Sequence, residues 1–540
     1  MRATHRLLML LSLTATAIAT TGCPGDGSDG PAPLIVNRST PECIVLGASF
    51  PSGLTALPTG GREAATAQAF PPAVFGLDLE REPPALLASQ GIPGLPLQPS
   101  ACGGTRVDSD SDTIADADRS DQLGFNCQDP RGGTLRALRG DLVLLVSSAY
   151  EQVLLFDPRS GRLRLATLET PAATPDFDPT SWLFWPRVGT PVDRSGFSTR
   201  VCVDGAGRLD SLDQPLGDYP QCGNLPDRFF TGFTSDVLRR GDRLFVSTAN
   251  LLRSSTARFA PGTVLVFRFD DSVDPPRIGP DSSRPIVFTT AFNPTSLGRH
   301  TTPAGRDLIL IGNSGAIALG SGPDLVRTDS SVDVLDPETL TLIATIPLGR
   351  AGLGFGGLAI DPSGRLGMLG SSVQRALFAI DLAALDDPML GLGPEPLPIV
   401  LDGSTPGWPD ARVFDDADPF LLPRRVDGPS DSICTTQTSV AIQSDGRFAL
   451  ASDFCDGTLT ELDLALPSMR STPIDPTTVL RVSRVVNAAE PIVDDATGIR
   501  AIDRLLIRPG TPGIDFQGPD VHFTTGLPRG ATCGIRIDAR

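Results

Sequence analysis

The sequence predicts an all-β fold, a β-propeller with seven blades, on three observations. First, a strand ending in aspartate recurs seven times, as VFGLDL (74–79), VLLFDP (153–158), VLVFRFD (264–270), VDVLDP (332–337), LFAIDL (377–382), LTELDL (459–464) and IRID (535–538). Second, glycine (56) and proline (51) are frequent and stretches of helical period are scarce, as in a chain of short strands and tight turns. Third, the stretch ALRGDLVLLVSSAYEQVLLFDPRSGRLRLATL (137–168) holds the apolar runs LVLLV, VLLF and LRLATL between short polar turns, a meander the length of one propeller blade.

Taken in order, residues 1–22 read as an export leader. Arg2 and Arg6 supply its positive end, and LLMLLSL (7–13) with TATAIA its apolar middle, too short for a spanning helix. Thr20-Thr21-Gly22-Cys23 resembles a bacterial lipobox, with Thr20 where an aliphatic residue is usual. The resemblance implies lipidation of Cys23, after which 23–33, carrying PGDGSDGPA, reads as a flexible tether. The alternative is an ordinary cleaved leader and release.

Residues 34–540 are expected to form the propeller. CIVLGASF (43–50) is its first apolar run, and the first full repeat returns through Pro83-Pro84 to ALLAS (85–89). Insertions are expected over about 90–132 and 169–234, the second rich in proline, glycine and aspartate. Strands resume at RLFVSTANLL (243–252), IVFTTAF (286–292) and DLILIGNSG (307–315). The hairpin VDVLDPETLTLIATIPL (332–348) turns at Asp336-Pro337-Glu338-Thr339, and Leu340, Leu342, Ala344 and Ile346 alternate in its returning strand. Proline presets φ in the turn, and the aspartate before it can bond the backbone ahead. GLAIDPSGRLGMLGSS (357–372) and SVAIQSDGRFALASD (439–453) align as strand, glycine turn and small-residue strand, each followed by an aspartate-ended strand.

Charge narrows the function. All 45 basic residues are arginine, which excludes a lysine Schiff base or a phosphate-loop lysine. A net charge of −18 makes nucleic acid a poor partner and favours cations or basic surfaces. Nine cysteines less Cys23 leave eight, an even number suited to an oxidising compartment. Proximity suggests Cys102 with Cys127, Cys202 with Cys222 and Cys434 with Cys455, holding the loop insertions, which leaves Cys43 and Cys533. Eight cysteines allow 105 pairings, so the connectivity stays open. IRID ends two residues before the chain does, so the outer strand of that blade is expected from the N-terminal region, about 34–45, and a Cys43–Cys533 bridge would pin the joint.

The blades resemble those of bacterial YVTN- and NHL-type propellers and of lactonase-like propellers, in IDPSGR (360–365) and VDVLD (332–336) above all. The resemblance implies the scaffold, which carries binders and enzymes alike.

Aspartates recur at alternate positions in 108–121. The string resembles the calcium loops of thrombospondin type 3 repeats, which implies Ca2+ on Asp108, Asp110, Asp112 and Asp116 and the Ile114 carbonyl, closed by Asp118 or Asp121. Thr113 replaces the usual glycine and Arg119 the usual closing acid, and a solvated acidic loop is the alternative. Trp182, Phe184 and Trp185 offer either a partner or sugar surface or the small core of an insertion. No Gly-x-Ser-x-Gly or His-Glu-x-x-His motif is present. Beyond the leader only His300 and His522 remain, and both, like the aspartates ending the strands, read more simply as structural.

The function expected is an exported, lipid-anchored, monomeric binding module at the bacterial cell envelope, as an outer-membrane lipoprotein with an envelope protein or glycan as partner. A lactonase-type hydrolase using a metal or funnel carboxylates is one alternative. A purely structural envelope protein is the other.

Overall fold

A computed structural model gives the structure. It describes strands and turns between residues 35 and 536; 1–34, 92–131, 169–195, 205–227, 318–325, 386–395, 402–411, 422–438, 465–479, 488–501 and 508–519 are the longer stretches outside the described residues, as is the end, 537–540.

Each blade is a four-stranded antiparallel meander whose strands follow one another from the axis outward. Blade 1 is Pro51–Ala56, Glu63–Gln68, Ala73–Asp78 and Ala85–Gly91. Blade 2 is Gly132–Arg139, Leu142–Ser147, Gln152–Asp157 and Arg162–Arg164. Blade 3 is Thr234–Arg240, Arg243–Thr248, Thr263–Asp270 and Arg277–Pro280. Blade 4 is Pro294–Thr301, Asp307–Asn313, Ser331–Asp336 and Thr341–Pro347. Blade 5 is Leu353–Ile360, Leu366–Ser371, Ala376–Asp381 and Pro396–Leu397. Blade 6 is Val440–Ile442, Phe448–Asp453, Thr458–Leu464 and Leu480–Asn487.

The structure corrects the expectation of seven blades. Taking a blade as a meander drawn from one run of chain, the described residues form a ring of six. The last copy of the repeated unit does not make a meander of its own. Its first two residues, Ile535 and Arg536, end the strand Gly530–Arg536, within a sheet assembled from both ends of the chain in the order Glu42–Gly47, Gly530–Arg536, Asp520–Thr525 and Ile502–Ile507. That closing sheet stands between blade 6 and blade 1, with Ile502–Ile507 beside the inner strand of blade 1. Cys43 faces Cys533 across it, and the two form a disulfide spanning 490 positions. The N-terminal segment is also shared. Ile35–Val36 runs parallel to the outer strand of blade 6 before the chain crosses to the closing sheet.

Burial explains why the strands read as short apolar bursts. The blades stand face to face, so successive side chains of one strand enter the cores on its two sides. Leu244 and Val246 of blade 3 pack with Leu144, Val146, Val153 and Leu155 of blade 2. Phe245, between them, packs with Leu297, Ile309, Ile311 and Leu335 of blade 4. Blades 1 and 2 meet through Val74, Leu145 and Phe156, and blades 4 and 5 through Leu310, Val334, Leu358 and Leu369. A strand covered on both faces has no polar side to show.

The run LRLATL divides between two sheets. Arg162–Arg164 stays in blade 2, while Thr167–Leu168 lies parallel to Arg277–Pro280 of blade 3.

The aspartates that end third strands cap the turns that follow. Asp157 Oδ1 accepts from the amides of Arg159 (3.0 Å) and Ser160 (3.2 Å), and Asp336 Oδ1 from those of Glu338 (2.9 Å) and Thr339 (3.2 Å). Each turn is closed by a residue with positive φ whose amide donates to the aspartate carbonyl at 2.9 Å, Gly161 (φ 68°) in blade 2 and Leu340 (φ 55°) in blade 4. The buried Leu340 side chain, in the core shared by blades 3 and 4, offsets a conformation that glycine adopts freely.

Two outcomes are expected. Replacing Cys43 and Cys533 together by alanine lowers unfolding free energy by about 2–5 kcal/mol, read by denaturant titration; an unchanged value would show that strand pairing alone holds the joint. Gly161→Ala costs about 1–2 kcal/mol from φ alone and more from contact, since its Cβ would meet that of Ala88 at 2.9 Å. Gly241→Ala, with φ 60° and nothing within 4 Å, should cost less in the same titration.

Candidate binding face

The first strands of the blades adjoin one another around the axis. They begin on one face, the upper, and end on the other, the lower. Polar chemistry divides between the two.

Near the upper face the inner strands are laced together by hydroxyls. Thr134 Oγ1 donates to the Ser235 carbonyl (2.9 Å), Ser235 Oγ to the Pro294 carbonyl (2.5 Å) and Thr295 Oγ1 to the Leu353 carbonyl (3.4 Å), stepping from blade 2 to blade 5. Small side chains are needed where strands come this close: a Cβ on Gly53 would lie 2.6 Å from the Gly133 carbonyl oxygen. Farther from the axis, Asn250 Nδ2 donates to Thr263 Oγ1 (2.9 Å) and the Pro261 carbonyl (2.7 Å), and Ser330 Oγ to the Ser314 carbonyl (2.6 Å). Asp333, a buried carboxylate, accepts from the Thr290 amide (2.8 Å), Asn313 Nδ2 (2.8 Å) and Thr345 Oγ1 (2.9 Å).

The chain turns sharply as it enters these strands. Phe233 (φ 59°), Asn293 (φ 57°) and Gly352 (φ 60°) each stand one residue before an inner strand, in blades 3, 4 and 5. The left-handed turn aims their carbonyls at the far end of the second strand, where the amides of Ala249 (3.0 Å), Ser314 (2.8 Å) and Ser372 (2.7 Å) donate to them. Glycine and asparagine take this conformation readily; the half-buried Phe233 does so at a cost of about 1–3 kcal/mol.

One ion pair sits among the inner strands. Arg136 of blade 2 donates through Nε to Asp236 Oδ1 (3.0 Å) and through Nη2 to Asp236 Oδ2 (2.5 Å) in blade 3, and Nη2 also reaches the Leu297 carbonyl (2.8 Å) in blade 4. The side chain thus passes the inner strand of blade 3 to reach that of blade 4. Asp236 is fully buried and also accepts from the Leu297 (2.8 Å) and Val237 (2.8 Å) amides. Burial alone would ease the proton off Arg136, but the adjoining carboxylate outweighs it and holds the guanidinium charged.

The lower face is a belt of arginine–acid contacts, many of them across seams. Arg159 of blade 2 meets Glu63 of blade 1 (2.8 Å), and Arg240 of blade 3 meets Asp307 of blade 4. Arg139 donates to the Asp271 carbonyl (2.7 Å), Arg243 to Asp281 (2.8 Å) and to the Pro337 carbonyl (2.6 Å), and Arg306 to Asp336 (2.7 Å). Burial works against ionisation of Asp336, yet Arg306 and the turn amides hold its carboxyl below the usual range. Asp307 is held low first by the Thr301 hydroxyl and then by Arg240 and Arg299.

The candidates read from the sequence fall mostly elsewhere. Cys23; Asp108, Asp110, Asp112, Ile114, Asp116, Asp118 and Asp121; Trp182, Phe184 and Trp185; and Cys102, Cys127, Cys222, Cys434 and Cys455 lie outside the described residues. Cys202 begins the strand Cys202–Asp204, and His522 lies within Asp520–Thr525. Among the described residues no group of three or more His, Cys, Asp or Glu could hold a metal ion, and no helix is long and apolar enough to cross a membrane. The chain leaves the ring at Gly91 and rejoins it at Gly132, both at upper ends of strands; it leaves again after Leu168, also at an upper end, returns at Gly196–Ser198 to pair with the upper half of Gln152–Asp157 in blade 2, and enters the inner strand of blade 3 at Thr234. Sequence reasoning missed Arg136 and Asp236. The available signal was an acid set inside a strand, as in TSDVL (234–238).

No protein-family model matches the chain, and no curated protein matches it. Among solved structures it is similar to the hydrazine synthase of Kuenenia stuttgartiensis, at 9% identity and TM-score 0.47, over 96% of this chain and 99% of that one. It is similar to the β-propeller domain of Myceliophteria thermophila Cps50 (Swd1), at 10% identity and TM-score 0.42, over 92% and 98%. A third is Chaetomium thermophilum Sqt1 bound to the N-terminus of the ribosomal protein L10, at 10% identity and TM-score 0.38, over 89% and 84%.

Arg136→Ala is expected to destabilise by about 3–5 kcal/mol, because Asp236 is left buried without its ion-pair partner. The double variant Arg136→Leu with Asp236→Leu should recover part of that loss in urea titration. A single variant as stable as the parent would refute the coupling.

Proposed function

We propose that this chain is an exported, lipid-anchored propeller that serves as a binding module at the bacterial cell envelope, and that its partner, an envelope protein or glycan, meets the upper face. The observation that carries the reading is the unequal chemistry of the two faces. On the lower face the arginines are engaged by acids and carbonyls of the same ring. A self-neutralised belt leaves a partner little charge to complement. Among the described residues the upper face is built mainly on hydroxyl and amide groups, with the Asp333 carboxylate buried among them, and the stretches 92–131 and 169–195 leave and rejoin described strands there.

Those stretches carry the aspartates of 108–121 and the aromatics Trp182, Phe184 and Trp185. In this reading calcium on the aspartates stiffens one loop, and the aromatic group gives the partner an apolar anchor. The leader and Cys23 support placement at a membrane surface.

The test is capture from envelope extract on the soluble form, 24–540, loaded with calcium and eluted with chelator. A discrete chelator-released partner is expected, lost on Asp110→Asn with Asp112→Asn or on Trp182→Ala with Trp185→Ala, and kept on Arg306→Ala at the lower face. Retention that ignores all the upper-face changes would refute the face assignment. A melting temperature indifferent to calcium would refute the metal, and turnover of lactones or esters in a parallel screen would favour a hydrolase. In cell fractionation, Cys23→Ser should move the full-length chain from the membrane pellet to the soluble fraction; an unchanged distribution would remove the anchor from the reading.

A further inference from the structure

We infer that the seam between blades 4 and 5 is acid-sensitive, with His300 as the group that takes up the proton. His300 is the next-to-last residue of the blade 4 inner strand and is 0% exposed. Neither Nδ1 nor Nε2 has a hydrogen-bond partner. Blade 5 closes over the ring through its first turn: a Cβ on Gly364 (φ 72°) would lie 3.3 Å from His300 Cε1 and 3.4 Å from Nδ1. The imidazole is thus part of the packed contact between the two blades and is not exposed to solvent.

The charged groups around it are already committed. Asp307, at the start of the neighbouring strand, is held by the Thr301 hydroxyl and by Arg240 and Arg299. Asp361, in the blade 5 turn, accepts from the amides of Ser363 (2.8 Å), Arg365 (2.7 Å) and Leu366. Arg299 precedes His300 on the same strand and Arg365 follows Gly364 in the turn, so the charged residues next to this contact in the chain are both cationic. An imidazolium formed here would be buried with no hydrogen-bond partner in place, which is costly. Burial lowers the proton affinity of His300, and although Asp361 and Asp307 pull the other way, the balance stays below the ordinary histidine value.

The sign follows from linkage. The folded state holds its histidine neutral while the unfolded chain protonates near pH 6.5, so the open state binds more protons as pH falls. The seam is therefore at full strength above about pH 6.5 and weakens below it, by up to about tenfold in the opening constant per pH unit for one proton. Asp307 and Asp336 are both held low, so over this range they stay ionised in folded and unfolded chain alike.

The experiment uses the full chain from pH 7.5 to 5.0. The unfolding constant of the parent should rise with acid more steeply than that of His300→Gln, which keeps a polar side chain but cannot titrate there. Imidazole C2–H exchange followed by mass spectrometry reads the parent directly, and with histidines only at 5, 300 and 522 the signal is assignable. His300 should exchange slowly and titrate below the free imidazole. Equal pH slopes in parent and variant, or a His300 midpoint at or above 6.5, would overturn the inference. If His300→Gln does not fold, the exchange midpoint decides alone.

Discussion

No blade of this ring can cover itself. Each is apolar on both sides, and the side chains of one strand alternate between the core shared with the blade before and the core shared with the blade after. Blade 3 shows the rule most plainly: Leu265 and Phe267 turn toward blade 2, while Val264 and Val266 turn toward blade 4. A row of such units would end in two bare apolar faces, so closing the circle is a condition of solubility as well as of shape. The joint meets that condition with a sheet drawn from both ends of the chain and a disulfide across it. Ile35–Val36, laid along the outer edge of blade 6, gives the N-terminal segment a hold on two neighbouring sheets.

Much of this was legible in the sequence, because strand period and turn chemistry are local properties. The aspartate-ended strands, the glycine turns after Asp361 and Gln443 and the alternation in the returning strand of the 332–348 hairpin all follow from neighbours in the chain. The number of blades was not fully legible. Counting the repeated strand counts IRID equally with the rest, although its sheet borrows an outer strand from the other end of the chain. The split of LRLATL between blades 2 and 3 was hidden for a similar reason: a parallel partner more than a hundred residues away leaves no mark on local spacing.

Arg136 and Asp236 show the same limit in a functional guise. They are 100 positions apart, and each alone reads as a polar interruption of a strand. Only the ring brings them together. The aspartates and aromatics of the connecting segments were legible as residue types, while the strand ends from which those segments depart follow from strand direction, which only the fold supplies. The exclusive use of arginine also has a structural consequence. Across the seams one guanidinium often serves two partners of different kinds, as Arg243 serves the Asp281 carboxylate and the Pro337 carbonyl of the next blade. A planar fork can satisfy both without moving, which an ammonium on a rotating stem does less well. The lower belt is accordingly a set of fixed braces between blades.

The Cys43–Cys533 bond alters how the molecule bears load. Force applied to the chain on either side of that bond passes from strand to strand through one covalent link, and the 490 positions between are left out of the path. A ring pulled by its two ends, or drawn by them into a narrow pore, would present a covalent circle that cannot be threaded as a single strand. The bond that joins the circle is thus also a mechanical shunt, and cutting it would expose every blade to tension in turn.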